Sequence, residues 1–158
     1  MSREPDRRWL AYGLALLVLV LDQLSKAWVE HSLPSGVMRP LLPGLLDLQL
    51  VYNRGAAFSL LTQSTGLLGL ISAAVAVAIV VWLWRQRQLA TLPLWAAALL
   101  LGGTVGNGLD RWRIGAVVDF LSLVPIRFPV FNLADVAINL AVVCIALEAL
   151  RSSSRHGS

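Results

Sequence analysis

The chain has 158 residues, of which 57% are hydrophobic and 14% charged. Soluble domains carry about 25% charged residues, so this composition excludes an ordinary water-soluble domain, which could not cover itself with so little polar surface. The formal net charge of +4 is too small and too scattered to suggest nucleic acid as a partner, and in a membrane protein the placement of Lys and Arg matters more than their sum.

Residues 1–8 form a polar arm with Arg3, Arg7 and Arg8. Residues 9–29 then supply a first span, about enough to cross ~30 Å of hydrocarbon as a helix. A basic arm before an apolar run is also the pattern of a secretory signal. This run is too long for that, however, has no small-residue cleavage site after it, and contains Asp22 and Lys26. It reads as a retained span. After Leu33 the residues Pro34, Gly36, Pro40, Pro43 and Gly44 break any helix. Within this region Leu46-Asp47-Leu48-Gln49-Leu50 alternates apolar and polar residues, as a half-buried strand does. A short sheet or hairpin on the membrane is expected, with residues 58–61 as an interfacial continuation.

Further spans are expected over residues 66–84, 92–110 and 133–150. The basic loop Arg85-Gln86-Arg87-Gln88 follows the second, and residues 151–158 form a polar tail expected to be disordered. The fold class is therefore an all-α integral membrane protein of four transmembrane helices, carrying a small β-cradle or amphipathic region in its first outer loop. Residues 9–150 make one domain. Four spans put both termini on one side, together with Arg3, Arg7, Arg8, Arg85, Arg87, Arg151 and Arg155 in short segments. Arg39, Arg54, Arg111, Arg113 and Arg127 lie in longer loops opposite, so the termini are expected in the cytoplasm.

With that topology the unusual polar residues gather at one depth. Asp22 and Lys26 fall near the outer end of the first span, and Asn53 and Arg54 in the first outer loop. Asn107, Asp110 and Arg111 end the third span, Asp119 lies in the second outer loop, and Asn132 and Asp135 open the fourth span. Asp22 and Lys26 stand four apart, acid first, in the favourable order for an ion pair, which suits neutralisation of two membrane charges more than direct chemistry. Gly102-Gly103-x-x-Gly106 suits close helix packing. Asp110 and Arg111 read as an interfacial ion pair, or Arg111 as an anchor to a lipid phosphate. Asn132 and Asp135 have the spacing of a helix cap. Capping does not explain a carboxylate at that depth, nor its companion Asp119 sixteen positions earlier. Two carboxylates at the bilayer surface, with no histidine nearby, suit an aspartic protease dyad. Cys144 is the single cysteine, lies in an apolar run and reads as a structural core residue. No metal-ligating pattern is present in the sequence, so neither a metal nor a cofactor is expected.

Five stretches carry a resemblance: Asp22-Gln23-Leu24-Ser25-Lys26, Asn53-Arg54-Gly55-Ala56-Ala57-Phe58, residues 102–111, Val117-Val118-Asp119-Phe120 and Phe131-Asn132-Leu133-Ala134-Asp135. In this order they resemble the blocks of lipoprotein signal peptidase (signal peptidase II). Thr104 stands where the family pattern usually has alanine. The resemblance implies a four-span aspartic endopeptidase of the bacterial inner membrane, with its site near the periplasmic face. It would remove the signal peptide of prolipoproteins just before a diacylglyceryl-modified cysteine, among membrane lipids, and be a target of the cyclic peptide globomycin. The family's catalytic aspartates fall on Asp119 and Asp135, and its supporting residues on Asp22, Lys26, Asn53, Arg54, Asn107, Arg111 and Asn132. A rival from another class is a small proton or ion transporter, since intramembrane carboxylates also mark ion paths. A transporter would spread its polar residues through the bilayer depth, whereas here they gather at one end.

Overall fold

The structure, a computed structural model, describes residues 6–55, 65–86 and 88–156. Four helices carry the chain: α1 (Arg8–Ser32), α2 (Thr65–Arg85), α3 (Thr91–Ile114) and α4 (Leu133–His156). Each is long and apolar enough to cross a membrane, with mean hydropathy between 1.3 and 2.5 over its best window. The expected interfacial segment 58–61 lies outside the described residues. Three ends run further than the sequence predicts by more than one residue. The first helix reaches Ser32, the third reaches Ile114, and the fourth continues to His156 through a stretch expected to be disordered.

The chain's own chemistry sets the ends. Pro34 holds Leu33 extended (φ −124°, ψ 117°) and stops α1. Gly115 takes φ 68°, and its N–H returns to the Arg111 carbonyl, closing α3 with a left-handed cap. Pro93 falls in the first turn of α3, where its missing N–H costs nothing.

Helix α3 is the hub. It packs against α1, α2 and α4, while α2 packs chiefly against α3 alone. Its apolar window is 61% buried, against 17–22% for the other three. Small residues make this possible. A Cβ on Gly102 would lie 2.6 Å from the Ala15 carbonyl oxygen of α1. One on Gly103 would lie 2.6 Å from the Ala134 carbonyl oxygen of α4, and one on Gly108 would lie 3.1 Å from Ser72 Cβ of α2. One helix thus meets the backbones of α1 and α4 and a small side chain of α2 at close range, which is how helices associate where lipid removes the hydrophobic drive. Leu16, Leu17 and Leu21 of α1 and Val142, Val143 and Ile145 of α4 are exposed, as lipid-facing side chains are.

A three-stranded antiparallel sheet of order β1-β2-β3 sits at one end of the bundle: β1 (Met38–Leu42), β2 (Leu46–Asn53) and β3 (Val117–Leu123). The β1–β2 turn has Pro43 and Gly44 (φ 75°) at its centre and a bond from Leu45 N–H to the Leu42 carbonyl at 2.9 Å, the pattern of a type II turn. The hairpin agrees with the alternation in the sequence, but the third strand corrects it. Asp119, read as a loop residue, lies in β3 opposite Val51. Residues 117–121 are buried without alternation, because Val118 and Phe120 pack with Val29 and Leu33 while the intervening Asp119 is held by Asn53 and Asn132. A short run buried on both faces lacks the period-two signature of a strand.

Gly103→Val should lower thermal stability in detergent by about 1–3 kcal/mol, the usual cost of overpacking. Gly13→Ala should be tolerated, since nothing lies within 4 Å of its Cβ position; equal melting curves for the two variants would refute the hub role of α3.

Candidate active site

At the sheet end of the bundle a buried ammonium is fully partnered. Lys26 Nζ of α1 lies 2.8 Å from Asp22 Oδ2 and 2.8 Å from Asp110 Oδ2, and donates to Asn107 Oδ1 at 2.9 Å. Three N–H groups meet three acceptors, and the three charged side chains are at most 1% exposed. The expected Asp22–Lys26 pair is present. Asp110, however, pairs with Lys26 from another helix rather than with its neighbour Arg111, because successive helical residues point to different faces.

Each carboxylate of this cluster also fastens a further element. Asp22 Oδ1 accepts the Ala134 N–H at 2.9 Å, satisfying a free donor at the start of α4. Asp110 Oδ2 accepts the Val118 N–H at 3.2 Å and so holds β3 next to Asp119. Gln23 Nε2 lies 3.2 Å from each of Asp22, Asp110 and the Gly106 carbonyl. The sequence analysis assigns Gln23 no role, because its bridging place depends on a contact between α1 and α3. Ser25 bonds its own helix instead, at the Asp22 carbonyl.

From Lys26 two amides lead outward. Asn107 accepts from Lys26 and donates to Asp135 Oδ1 at 2.8 Å. Asn132 Nδ2 lies 2.7 Å from Asp119 Oδ1 and 3.0 Å from Asn107 Oδ1. The carboxylates of Asp119 and Asp135 are therefore joined through Asn132 and Asn107. The helix cap expected at Asn132 forms in both directions. The Asp135 N–H donates to Asn132 Oδ1 at 2.9 Å, and the Asn132 N–H donates to Asp135 Oδ2 at 3.3 Å. Asn53 at the end of β2 donates to Asp119 Oδ2 at 3.0 Å, while its own oxygen accepts the Gly55 N–H.

Burial pushes the Asp119 carboxyl up to about 7, and the negative charge of Asp135 adds to this; hydrogen bonds from Asn53 and Asn132 and the Lys26 charge oppose it. The two aspartates face a cavity of about 400 Å³ that Asn53, Asn107 and Arg111 also line. The cavity continues along α4 past Val136, Leu140 and Val143, all three of which are exposed on the apolar surface of the bundle. This wall follows helical spacing from Val136 (136, 140, 143), a pattern present in the sequence but assigned no role by it. Arg111 Nε is buried with no hydrogen-bond partner, and one guanidinium nitrogen bonds the Asn107 carbonyl at 3.3 Å. Arg54 is exposed and does not line the cavity. Cys144 is half-buried in a separate cavity rather than in the core. Among the described residues no group of three His, Cys, Asp or Glu side chains is placed to hold a metal ion.

Four spanning helices with an apolar surface, and a cavity at one end into which two aspartates face, define a multi-pass membrane protein. Residues 14–151 match the family model described as signal peptidase (SPase) II, and the chain belongs to that family of membrane peptidases. It is 56% identical to a lipoprotein signal peptidase of a Synechococcus species, over 92% of this chain and 96% of the relative. A second such protein, from Parasynechococcus marenigrum, is 52% identical over 96% of both chains. Among solved structures it superposes with a TM-score of 0.87 on a bacterial membrane enzyme determined by the in meso method at 2.3 Å. That match has 27% identity and covers 92% of this chain and 90% of the other.

Lys26→Met would leave Asp22 and Asp110 buried without their cation. Removing one partner of a buried pair costs about 3–5 kcal/mol, so the variant should melt far below wild type or fail to accumulate. Asp110→Asn, which keeps a hydrogen-bonding side chain, should be milder; a Lys26→Met protein melting with wild type would refute the anchoring role.

Proposed function

We propose that this chain is an aspartic endopeptidase that cuts bacterial prolipoproteins on the N-terminal side of their diacylglyceryl-modified cysteine, with Asp119 and Asp135 as its catalytic pair. The observation that carries this reading is the pairing of two carboxylates, through Asn107 and Asn132, in a cavity that continues along the apolar flank of α4. The relatives' name, lipoprotein signal peptidase, supports the substrate class. A lipidated peptide suits such a cavity: its acyl chains remain in the bilayer beside Leu140 and Val143 while the peptide bond reaches the aspartates.

Two neighbouring carboxylates do not both ionise cheaply, so the pair holds one shared proton. Asp119, with its raised value, carries that proton near neutral pH. Asp135 takes a proton from a water molecule, whose oxygen attacks the scissile carbonyl carbon. The Asp119 proton hydrogen-bonds the carbonyl oxygen and stabilises the negative charge that forms there. Collapse of the tetrahedral intermediate breaks the C–N bond, and the leaving amine receives a proton from the pair. Asn53, Asn107 and Asn132 orient the carboxylates without titrating, and Asp22 and Lys26 hold the frame. Arg111 offers the cavity a charged donor. Arg54 lies outside the cavity wall, and its supporting role would require movement of the first outer loop.

The experiment is cleavage of a purified lipidated precursor. Asp119→Asn and Asp135→Asn should each abolish cleavage while the protein still inserts and melts cooperatively, and full activity in either would end the aspartic mechanism. Wild-type kcat/KM should fall as pH rises through about 7, since loss of the Asp119 proton leaves two adjacent negative charges and no donor. A profile flat from pH 5 to 9 would contradict this assignment.

Both termini are assigned to the cytoplasm and the dyad to the periplasmic face of the inner membrane. Arg7 and Arg8 bond the Leu89 and Trp84 carbonyls, which places the basic N-terminal arm beside the end of α2 and the start of α3. Reporter fusions after Gln88 and after Gly44 should give opposite signals, and like signals would exclude this orientation.

A further inference from the structure

At the end of the bundle opposite the aspartate pair, α2, α3 and α4 leave a second cavity of about 460 Å³. Val75, Ile79 and Trp82 of α2, Leu100 of α3, and Cys144 and Glu148 of α4 form much of its wall. Among the described residues lining it, Glu148 is the one charge. Glu148 is half-buried within the span Leu133–Ser154, and it has no ion pair among the described residues, not even with Arg151 three positions on. A carboxylate left unpaired inside a membrane span is costly and marks a functional position.

The two cavities follow one another along α4. Asp135, Val136, Asn139, Leu140 and Val143 of α4 line the first, and Cys144, Ile145 and Glu148 the second, so the row Val136, Leu140, Cys144 and Glu148, four apart, passes from one to the other. Glu148 stands 13 residues beyond Asp135, which is about 20 Å at ~1.5 Å per residue. A bacterial signal peptide has a positively charged segment, an apolar helical segment of about 7–15 residues and a short small-residue segment before its cleavage site. With the scissile bond at the aspartates, an apolar helix of that length laid along α4 ends level with Glu148. The carboxylate there repels lipid phosphate and attracts a cation. Charge, distance and apolar lining favour the same occupant.

We propose that the second cavity seats the N-terminal half of the substrate's signal-peptide helix, and that Glu148 pairs with the Lys or Arg of its basic segment. This rests on the peptidase reading above and extends it from the cleaved bond to the far end of the substrate. Glu148 touches no reacting atom and acts as a recognition residue. Its effect falls on KM rather than kcat, because the pair is made equally in the ground and transition states.

The test uses full-length protein in detergent micelles, where membrane potential and charge-directed insertion play no part. Lipidated precursors that differ only in the N-terminal segment (two Lys, two Ser or two Glu) are compared by kcat/KM. Wild type should prefer the Lys precursor over the Ser precursor by about fivefold, through KM, as a partly exposed ion pair allows. Glu148→Gln, a nearly isosteric change, should bring that ratio close to one, and Glu148→Lys should invert it in favour of the Glu precursor. Lengthening the apolar segment by four leucines should remove the wild-type preference, because the cation then overshoots Glu148 by about 6 Å. Equal kcat/KM for the Lys and Ser precursors in wild type would overturn the proposal while leaving the peptidase reading intact. So would an undiminished preference in Glu148→Gln. Failure of wild type to cut any of the lipidated precursors would overturn the peptidase reading and this one with it.

Discussion

The site depends on one buried cation. Lys26 is buried from solvent, so its three N–H groups require three acceptors, and α1 and α3 supply them through Asp22, Asp110 and Asn107. Nothing in the cluster is dispensable to its neighbours, since a charge left alone in low dielectric costs more than the pair contributes. Each acceptor also holds another element, so satisfying the ammonium places the start of α4 and the third strand of the sheet. Electrostatic necessity thus becomes positional accuracy.

The glycines of α3 are the steric counterpart of that cluster. A Cβ on Gly106 would lie 2.5 Å from Asp22 Oδ2, so the absence of a side chain there lets the carboxylate sit against the helix. Gly102 and Gly103 bring α1 and α4 to backbone distance of the same helix. Close packing shortens the reach between Asn107 and Asp135, and a helix held 1 or 2 Å further off would break the bond between them. Packing and polar chemistry are therefore one design: the small residues permit the approach that the hydrogen bonds then use.

Asp119 and Asp135 arrive by different routes. The cap at Asn132 places Asp135 one turn into α4, beside the span's apolar surface. Asp119 sits on a strand whose register is set by β2, so Asn53 meets it from the neighbouring strand. A strand holds its side chain more tightly than a loop would, as a carboxyl titrating near neutrality through burial requires. The cavity they share carries polar groups at this end and the apolar side chains Leu140 and Val143 at the other, a change of character that suits a substrate with both a peptide and a lipid part.

Much of this was legible in the sequence, and the divide is physical. Four apolar runs of sufficient length determine four spans, because hydrocarbon demands internally bonded backbone whatever the packing. The Asp22–Lys26 pair, the Asn132 cap and the β1–β2 hairpin are local, so spacing along the chain was enough to read them. Only the tertiary structure decided the rest. That Asp110 turns to Lys26 rather than Arg111 depends on which helix lies opposite, and no i-to-i+4 rule contains that fact. That residues 117–123 are a strand depends on cover from both sides, which erases the alternation by which strands are recognised. Gln23 could not be assigned before α1 and α3 were brought together, nor could Glu148 before α2 and α4 were seen to part around α3. Local spacing identifies which groups are polar and where helices start; contact between distant segments decides which of those groups meet.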